Sequence, residues 1–194
     1  MSLIEKNQDV LNRIITRRDL LALGLVTAAS TIFPLKARAV SEKISSQKEL
    51  FFYNVYTKEN INTVYWKDGM YLPDELARIN HIFRDIRSGK EREININLLD
   101  LLFEVKEQLK SEDPFHVMSG YRTPKSNAML RKRKKGVAKN SLHMYGKAVD
   151  ISIPGYSLRG IRKAAMKLRA GGVGYYPRSK FLHLDVGEVR YWWG

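Results

Sequence analysis

The segment Ser141-Leu142-His143-Met144-Tyr145-Gly146-Lys147-Ala148-Val149-Asp150 sets an imidazole seven residues before a carboxylate, with a glycine between them. On one continuous strand an odd separation directs two side chains to opposite faces, so both meet one ion only if the chain turns near Gly146, and glycine permits that turn. Further on, Phe181-Leu182-His183-Leu184-Asp185-Val186 alternates, which puts His183 and Asp185 together on the face opposite Leu182, Leu184 and Val186. A nitrogen of His183 added to His143 and Asp150 makes two imidazoles and one carboxylate. With the fourth position left to water, that is the donor set of a catalytic zinc ion rather than a structural one, and hydrolysis is the chemistry it offers. The chain has no cysteine, which excludes thiolate metal sites, disulfides and cysteine nucleophiles together. Either histidine alone reads more simply as a hydrogen-bonded structural residue; the set of three with its turn glycine favours a metal. His81, off the apolar stripe of its helix, and His116, beside Val117 and Met118, read as structural.

Those residues need elements to carry them. Phe51 to Thr57 and Ile61 to Trp66 are rich in aromatic and β-branched residues around Lys58-Glu59-Asn60, a hairpin pattern. Leu76, Ile79, Phe83 and Ile86 recur at helical spacing from Asp74 to Arg87, with Gly89 ending the pattern. Asn97 is placed to cap a second helix with Leu98, Leu102, Val105 and Leu109 on one stripe. His116 to Ser119 reads as a short strand, and Pro124 opens a helix that ends in the basic run Arg131 to Lys135. Val149, Ile151 and Ile153 alternate with Asp150 and Ser152, a strand with one buried face. Ser157 caps a last helix bearing Leu158, Ile161, Ala165 and Leu168, which Gly171-Gly172 ends. The chain of 194 residues has room for one compact unit, with a linker at 40–50 and a domain at 51–194.

Residues 1–39 read as a targeting segment. Arg17-Arg18 precedes an apolar run from Leu20 to Leu35, and Ala37-Arg38-Ala39 supplies a small-x-small cleavage site. The run contains Thr27, Ser30 and Thr31 and is shorter than the roughly 20 residues of a membrane span, so export of the twin-arginine kind is expected, with no stable span after processing. The net charge is +14; this segment holds Lys6, Arg13, Arg17, Arg18, Lys36 and Arg38 against Glu5, Asp9 and Asp19, which leaves +11 for the rest. Such a charge favours an anionic partner. Behind an export signal, a carboxylate-rich polymer such as peptidoglycan fits better than nucleic acid. The basic run Arg131 to Lys135 reads first as a solvated loop and second as a steering patch for that polymer, and Trp192 and Trp193 as packing residues. A monomer on the periplasmic or cell-wall side is the expectation.

Ser-x-His-x-x-Gly-x-Ala-x-Asp, the later Phe-Leu-His-Leu-Asp-Val-Gly, and Ser119-Gly120-Tyr121-Arg122-Thr123 together resemble the zinc D-Ala-D-Ala peptidases, a group that also holds lysostaphin-type enzymes and the hedgehog signalling domain. Pro73-Asp74-Glu75-Leu76, Val173-Gly174-Tyr175-Tyr176-Pro177 and Val189-Arg190-Tyr191-Trp192-Trp193 look most like its murein endopeptidase K branch, a resemblance covering residues 48–194. It implies a small α+β domain with a central antiparallel sheet and flanking helices. It implies His143, Asp150 and His183 as zinc ligands, Arg122 on a substrate carboxylate or the developing oxyanion, and Ser141 and Tyr175 on the substrate.

One position departs from the pattern. Carboxypeptidase members carry a glutamate base three residues before the last histidine, and this chain has Lys180 there. Asp185 is the first candidate for the base, with orientation of His183 as its other reading and Glu188, Tyr175 and Tyr176 next in line. The reading is therefore an exported zinc endopeptidase acting on peptidoglycan peptides or cross-links. Its rivals are a D,D-carboxypeptidase, made weaker by Lys180, and an inert zinc-bearing wall-binding module. A cationic nucleic-acid binder, which would show steep salt dependence and no response to chelators, is the weakest.

Overall fold

The computed structural model describes residues 47–134 and 136–194. The expected signal segment, linker residues 40–46 and Lys135 of the basic run lie outside them. Eight strands form one sheet: β1 (Gln47–Asn54), β2 (Asn60–Lys67), β3 (Met70–Tyr71), β4 (Phe115–Ser119), β5 (Ala148–Ser152), β6 (Gly172–Tyr176), β7 (Phe181–Asp185) and β8 (Arg190–Trp193), in the order β3-β2-β1-β4-β5-β7-β6-β8. Among the described residues four α-helices accompany it: α1 (Pro73–Ile82), α2 (Ile96–Leu109), α3 (Pro124–Arg133) and α4 (Leu158–Leu168). The class is α+β, as expected, but the sheet is mixed rather than wholly antiparallel. The pairs β1–β4 and β6–β8 run parallel because α1 and α2 lie between the first two strands and β7 lies between the second two.

Alternation along the strands decides which face is dry. Leu50 and Phe52 of β1, Phe115 and Val117 of β4, Val149 and Ile151 of β5, and Leu182 and Leu184 of β7 are buried in a core shared with Leu98, Leu102 and Val105 of α2 and Ile161 and Ala165 of α4. Fully burying one such side chain contributes about 1.5–3 kcal/mol. Residues 47–50, expected in the linker, open β1: Leu50 is fully buried and faces Thr63 in the hairpin register.

Two helix boundaries differ from the periodicity. The expected helix through Arg87 stops at Ile82, because the carbonyls of Ile82 and Phe83 accept from Asn54 Nδ2 at 3.0 Å and Tyr121 N at 2.7 Å. Tertiary donors thus take the places of the next two intrahelical ones, and Ile86 ends up exposed. The second helix is capped by Asn95 rather than Asn97; its side chain accepts from Asn97 N at 3.0 Å. Among the described residues no helix is long and apolar enough to cross a membrane.

Candidate metal centre and substrate cleft

His143 stands on a short 3-10 helix, Leu142–Tyr145, that Gly146 ends at φ +64°. A Cβ there would lie 2.3 Å from the Glu93 carbonyl oxygen, so only glycine both turns the chain and lets the backbone pass that close. The turn carries His143 back over β5, where Asp150 lies directly opposite His183 of β7 in the antiparallel register. Three atoms then converge: His143 Nε2 and His183 Nδ1 are 3.1 Å apart, and Asp150 Oδ1 lies 3.2 Å from the first and 2.9 Å from the second.

The outer nitrogen of each ring decides what the inner one carries. His143 Nδ1 lies 2.7 Å from the Gly120 carbonyl oxygen and His183 Nε2 lies 2.9 Å from Asp185 Oδ2. Carbonyls and carboxylates only accept, so both outer nitrogens are placed to hold a proton; a proton on His183 Nδ1 would serve Asp150 Oδ1 equally well, and the inner nitrogens present lone pairs once an ion takes that place. Two lone pairs and a carboxylate oxygen facing one point in a buried place repel one another unless a cation sits among them. Tetrahedral zinc with bonds of about 2.0–2.2 Å needs donors roughly 3.3 Å apart, close to the spacing here, and nitrogen and oxygen are donors it accepts. The residues therefore fit such an ion.

The electrostatics agree with a site built for positive charge. Burial raises the Asp150 carboxyl, but the charge and hydrogen bonds of His143 and His183 outweigh it and hold the group well below the usual carboxylate range. Burial pushes the His143 imidazole down, against the pull of Asp150. For His183 burial acts in the same direction, yet Asp150 and Asp185 overcome it and raise the group.

Asp185 shares a strand face with His183 and stands behind its ring. It lies on the Nε2 side of the ring, away from the converging atoms, and is fully buried. Its Oδ1 accepts from Gly172 N, Gly187 N and Arg190 Nη1 at 2.9–3.1 Å, and its Oδ2 accepts from His183 and from Arg190 Nη2 at 2.7 Å. A carboxylate so occupied has the geometry of a partner that orients the imidazole. Lys180 is exposed in the turn between β6 and β7 at φ +57°. Glu188 is exposed as well and does not line the cleft.

A cleft of about 880 Å³ opens over Asp150 and His183, while His143, the third donor, is fully buried and does not line it. Arg122 and Ser141 line it, together with Asp150 and His183. Arg122 is 7% exposed, its Nη2 stands 4.0 Å from Asp150 Oδ2, and its Nε has no protein partner. Burial lowers its pKa, and the nearby Asp150 charge opposes that. Tyr175 is not brought to the cleft. It shares the core-facing side of β6 with Val173 and packs its ring on Trp193 and under the Arg162 guanidinium. The period of two sends Tyr176 to the cleft in its place, with Trp192, whose ring lies 5.3 Å from that of His183. His81 pairs with Glu91 and His116 packs on Tyr53, both apart from the metal cluster.

Asp85 is a site residue that the sequence did not single out. Its buried Oδ2 accepts from Thr123 N at 2.8 Å and Thr123 Oγ1 at 2.7 Å, and its Oδ1 accepts from Arg87 N at 3.0 Å. One carboxylate thereby ties the turn after α1 to the Arg122-Thr123 loop. In sequence it lies within the amphipathic stretch from Asp74 to Arg87, where it resembles ordinary helix surface.

A family model described as "Peptidoglycan L,D-endopeptidase MepK" matches residues 42–192. The chain belongs to this family. It is 43% identical over 176 residues to the "Peptidoglycan L,D-endopeptidase MepK" of Escherichia coli (strain K12), covering 91% of this chain and 96% of the relative, and equally similar to that of Shigella flexneri. The "Probable peptidoglycan L,D-endopeptidase MepK" of Haemophilus influenzae (strain ATCC 51907 / DSM 11121 / KW20 / Rd) is 35% identical over 181 residues, covering 92% of this chain and 96% of that protein. The family-model match spans the segments that carry His143, Asp150 and His183.

Proposed function

We propose that this chain is an exported zinc metallopeptidase that cuts amide bonds in peptidoglycan cross-links, a murein endopeptidase acting on the L,D bond that its relatives' names specify. The observation that carries the reading is the convergence of two imidazole nitrogens and one carboxylate oxygen within 3.2 Å of each other, two of the three residues lining an open cleft, in a chain of this family. His143, Asp150 and His183 would hold the zinc. Bound there, zinc would polarise the scissile carbonyl and make its water acidic enough to attack near neutral pH.

The protein's own groups do the rest. Gly120 O and Asp185 are placed to hold the tautomers that leave both donor nitrogens bare once the ion is bound. Arg122, a planar cation at the cleft wall, meets a substrate carboxylate or the negative charge of the tetrahedral state, and Ser141 borders the same space. Two arginines of the cleft are closely paired, Arg84 with Glu59 and Arg190 with Asp185; Arg122, at 4.0 Å from Asp150, and Arg87 are the arginines left to face an anionic substrate. The fold is read as the hedgehog and D,D-peptidase type. Residues 1–39 are read as a twin-arginine signal that brings a monomer to the periplasmic or wall side, where nucleic acid is not a partner. Retention of precursor inside the cell when Arg17 and Arg18 become Lys tests that route.

Digestion of purified cross-linked muropeptide dimers, with products weighed by mass spectrometry, tests the activity. Cleavage between the two stem peptides that stops on chelation and returns with zinc is expected. Release of a terminal D-alanine alone would instead make the protein a carboxypeptidase.

A further inference from the structure

We propose that Tyr176 is a further catalytic residue, donating its phenolic hydrogen to the oxygen that becomes negatively charged when the scissile carbonyl is attacked; this rests on the peptidase reading above. Tyr176 lies on the same face of β6 as Gly174, which faces His183 across the β6–β7 pair, and it lines the cleft with Arg122, Asp150 and His183. Its hydroxyl is held in a defined direction. Trp192 Nε1, a group that can only donate, gives its hydrogen to Tyr176 Oη at 2.9 Å. The oxygen is thus engaged as an acceptor, and among the described residues no acceptor is recorded for its own hydrogen, which is left for the cleft.

The ring carrying that hydroxyl is fixed from two directions. It stacks on Phe181 with centroids 4.6 Å apart and planes at 18°, and Trp192 is itself fixed against His183 and beneath the Arg190 guanidinium, 5.0 Å from its ring. Gly174 makes this possible, since a Cβ there would lie 2.5 Å from the Trp192 ring. The chain from ligand to donor is therefore short and rigid: His183, Trp192, Tyr176. A hydrogen-bond donor placed this way costs no reorganisation as charge develops. Asp85 and Asp150 are the side-chain carboxylates lining the cleft; the first is saturated by Thr123 and Arg87 and the second belongs to the metal cluster, so neither side chain competes for the phenolic hydrogen.

Tyr176→Phe retains the ring and its stacking and removes only the hydroxyl. On zinc-loaded protein cutting a muropeptide dimer, kcat should fall about 100- to 1000-fold, the range for loss of one oxyanion donor, with KM within about 3-fold of wild type. Zinc content should stay at wild-type level. A phosphinate peptide, whose tetrahedral anion mimics the attacked carbonyl, should bind the variant weaker by a similar factor in calorimetry, while an uncleaved stem peptide binds both proteins alike. Equal phosphinate affinity, unchanged kcat, or a loss of kcat that follows a loss of zinc would each overturn the proposal. Wild-type protein that leaves every dimer intact would overturn the peptidase reading, and the phosphinate comparison would still decide whether Tyr176 meets a tetrahedral anion.

Discussion

His183 directs its Nε2 to Asp185 Oδ2 and its Nδ1 to Asp150 Oδ1, both at 2.9 Å, so one imidazole separates the buried carboxylate from the converging donors. Asp185→Asn should therefore act through the metal. Zinc affinity should fall about 10- to 100-fold, and excess zinc should restore most of the rate. One zinc titration of activity checks this. A rate still down by more than about 100-fold at saturating zinc would return Asp185 to the role of base.

Replacement of His143, Asp150 or His183 by Ala should remove the metal altogether. Purified wild-type protein should carry about one zinc by elemental analysis, and each variant close to none, because two remaining donors do not hold the ion against water. His81→Ala and His116→Ala should keep the wild-type content, since neither ring belongs to the cluster.

Gly146→Ala meets two penalties, a positive φ and a Cβ 2.3 Å from the Glu93 carbonyl oxygen. The loss should be about 1–3 kcal/mol, a fall in Tm of roughly 3–10 °C for a domain of this size. The turn also aims His143, so zinc affinity should drop with it. A variant melting at the wild-type temperature with unchanged zinc binding would show that the turn is not needed in this form.

Acid stability offers a check away from the metal. The hydrogen bonds of Arg84 lower Glu59 from 4.5 to about 2, against the effect of burial, and Thr57 adds to the lowering. A depressed folded pKa contributes stability above the unfolded value, and that contribution disappears as pH falls from about 4.5 towards 2. Glu59 is 40% exposed, so solvent screening limits the contribution to about 1 kcal/mol or less. Glu59→Gln should melt slightly below wild type at pH 7, with the gap closing near pH 2; a gap independent of pH would assign the effect to packing.

Much of the site was legible because its information is local. The alternation in Phe181 to Val186 places His183 and Asp185 on one face from residue types alone, and Gly146 marks a turn that a strand period requires if His143 and Asp150 are to meet. The absence of cysteine narrows the donors to nitrogen and oxygen before any coordinates are known. Capping by Ser157 and the apolar stripe of α4 likewise follow from short-range rules, and both are present.

What the sequence by itself determined, then, is the donor set, the faces of the strands and the α+β class; tertiary structure decided which atoms of those donors meet and what stands behind them. Asp185 and Asp150 are both acids on one side of the sheet, and only the orientation of the His183 ring between them separates the acid that joins the cluster from the acid behind the ring. Tyr175 and Tyr176 are adjacent and identical in type, and one residue of register sends the second to the cleft and the first to the core. The end of α1 depends on Asn54 and Tyr121, 28 and 38 residues from the carbonyls they satisfy. Periodicity reads neighbours along the chain, whereas these choices are made by hydrogen bonds between segments that only folding brings together.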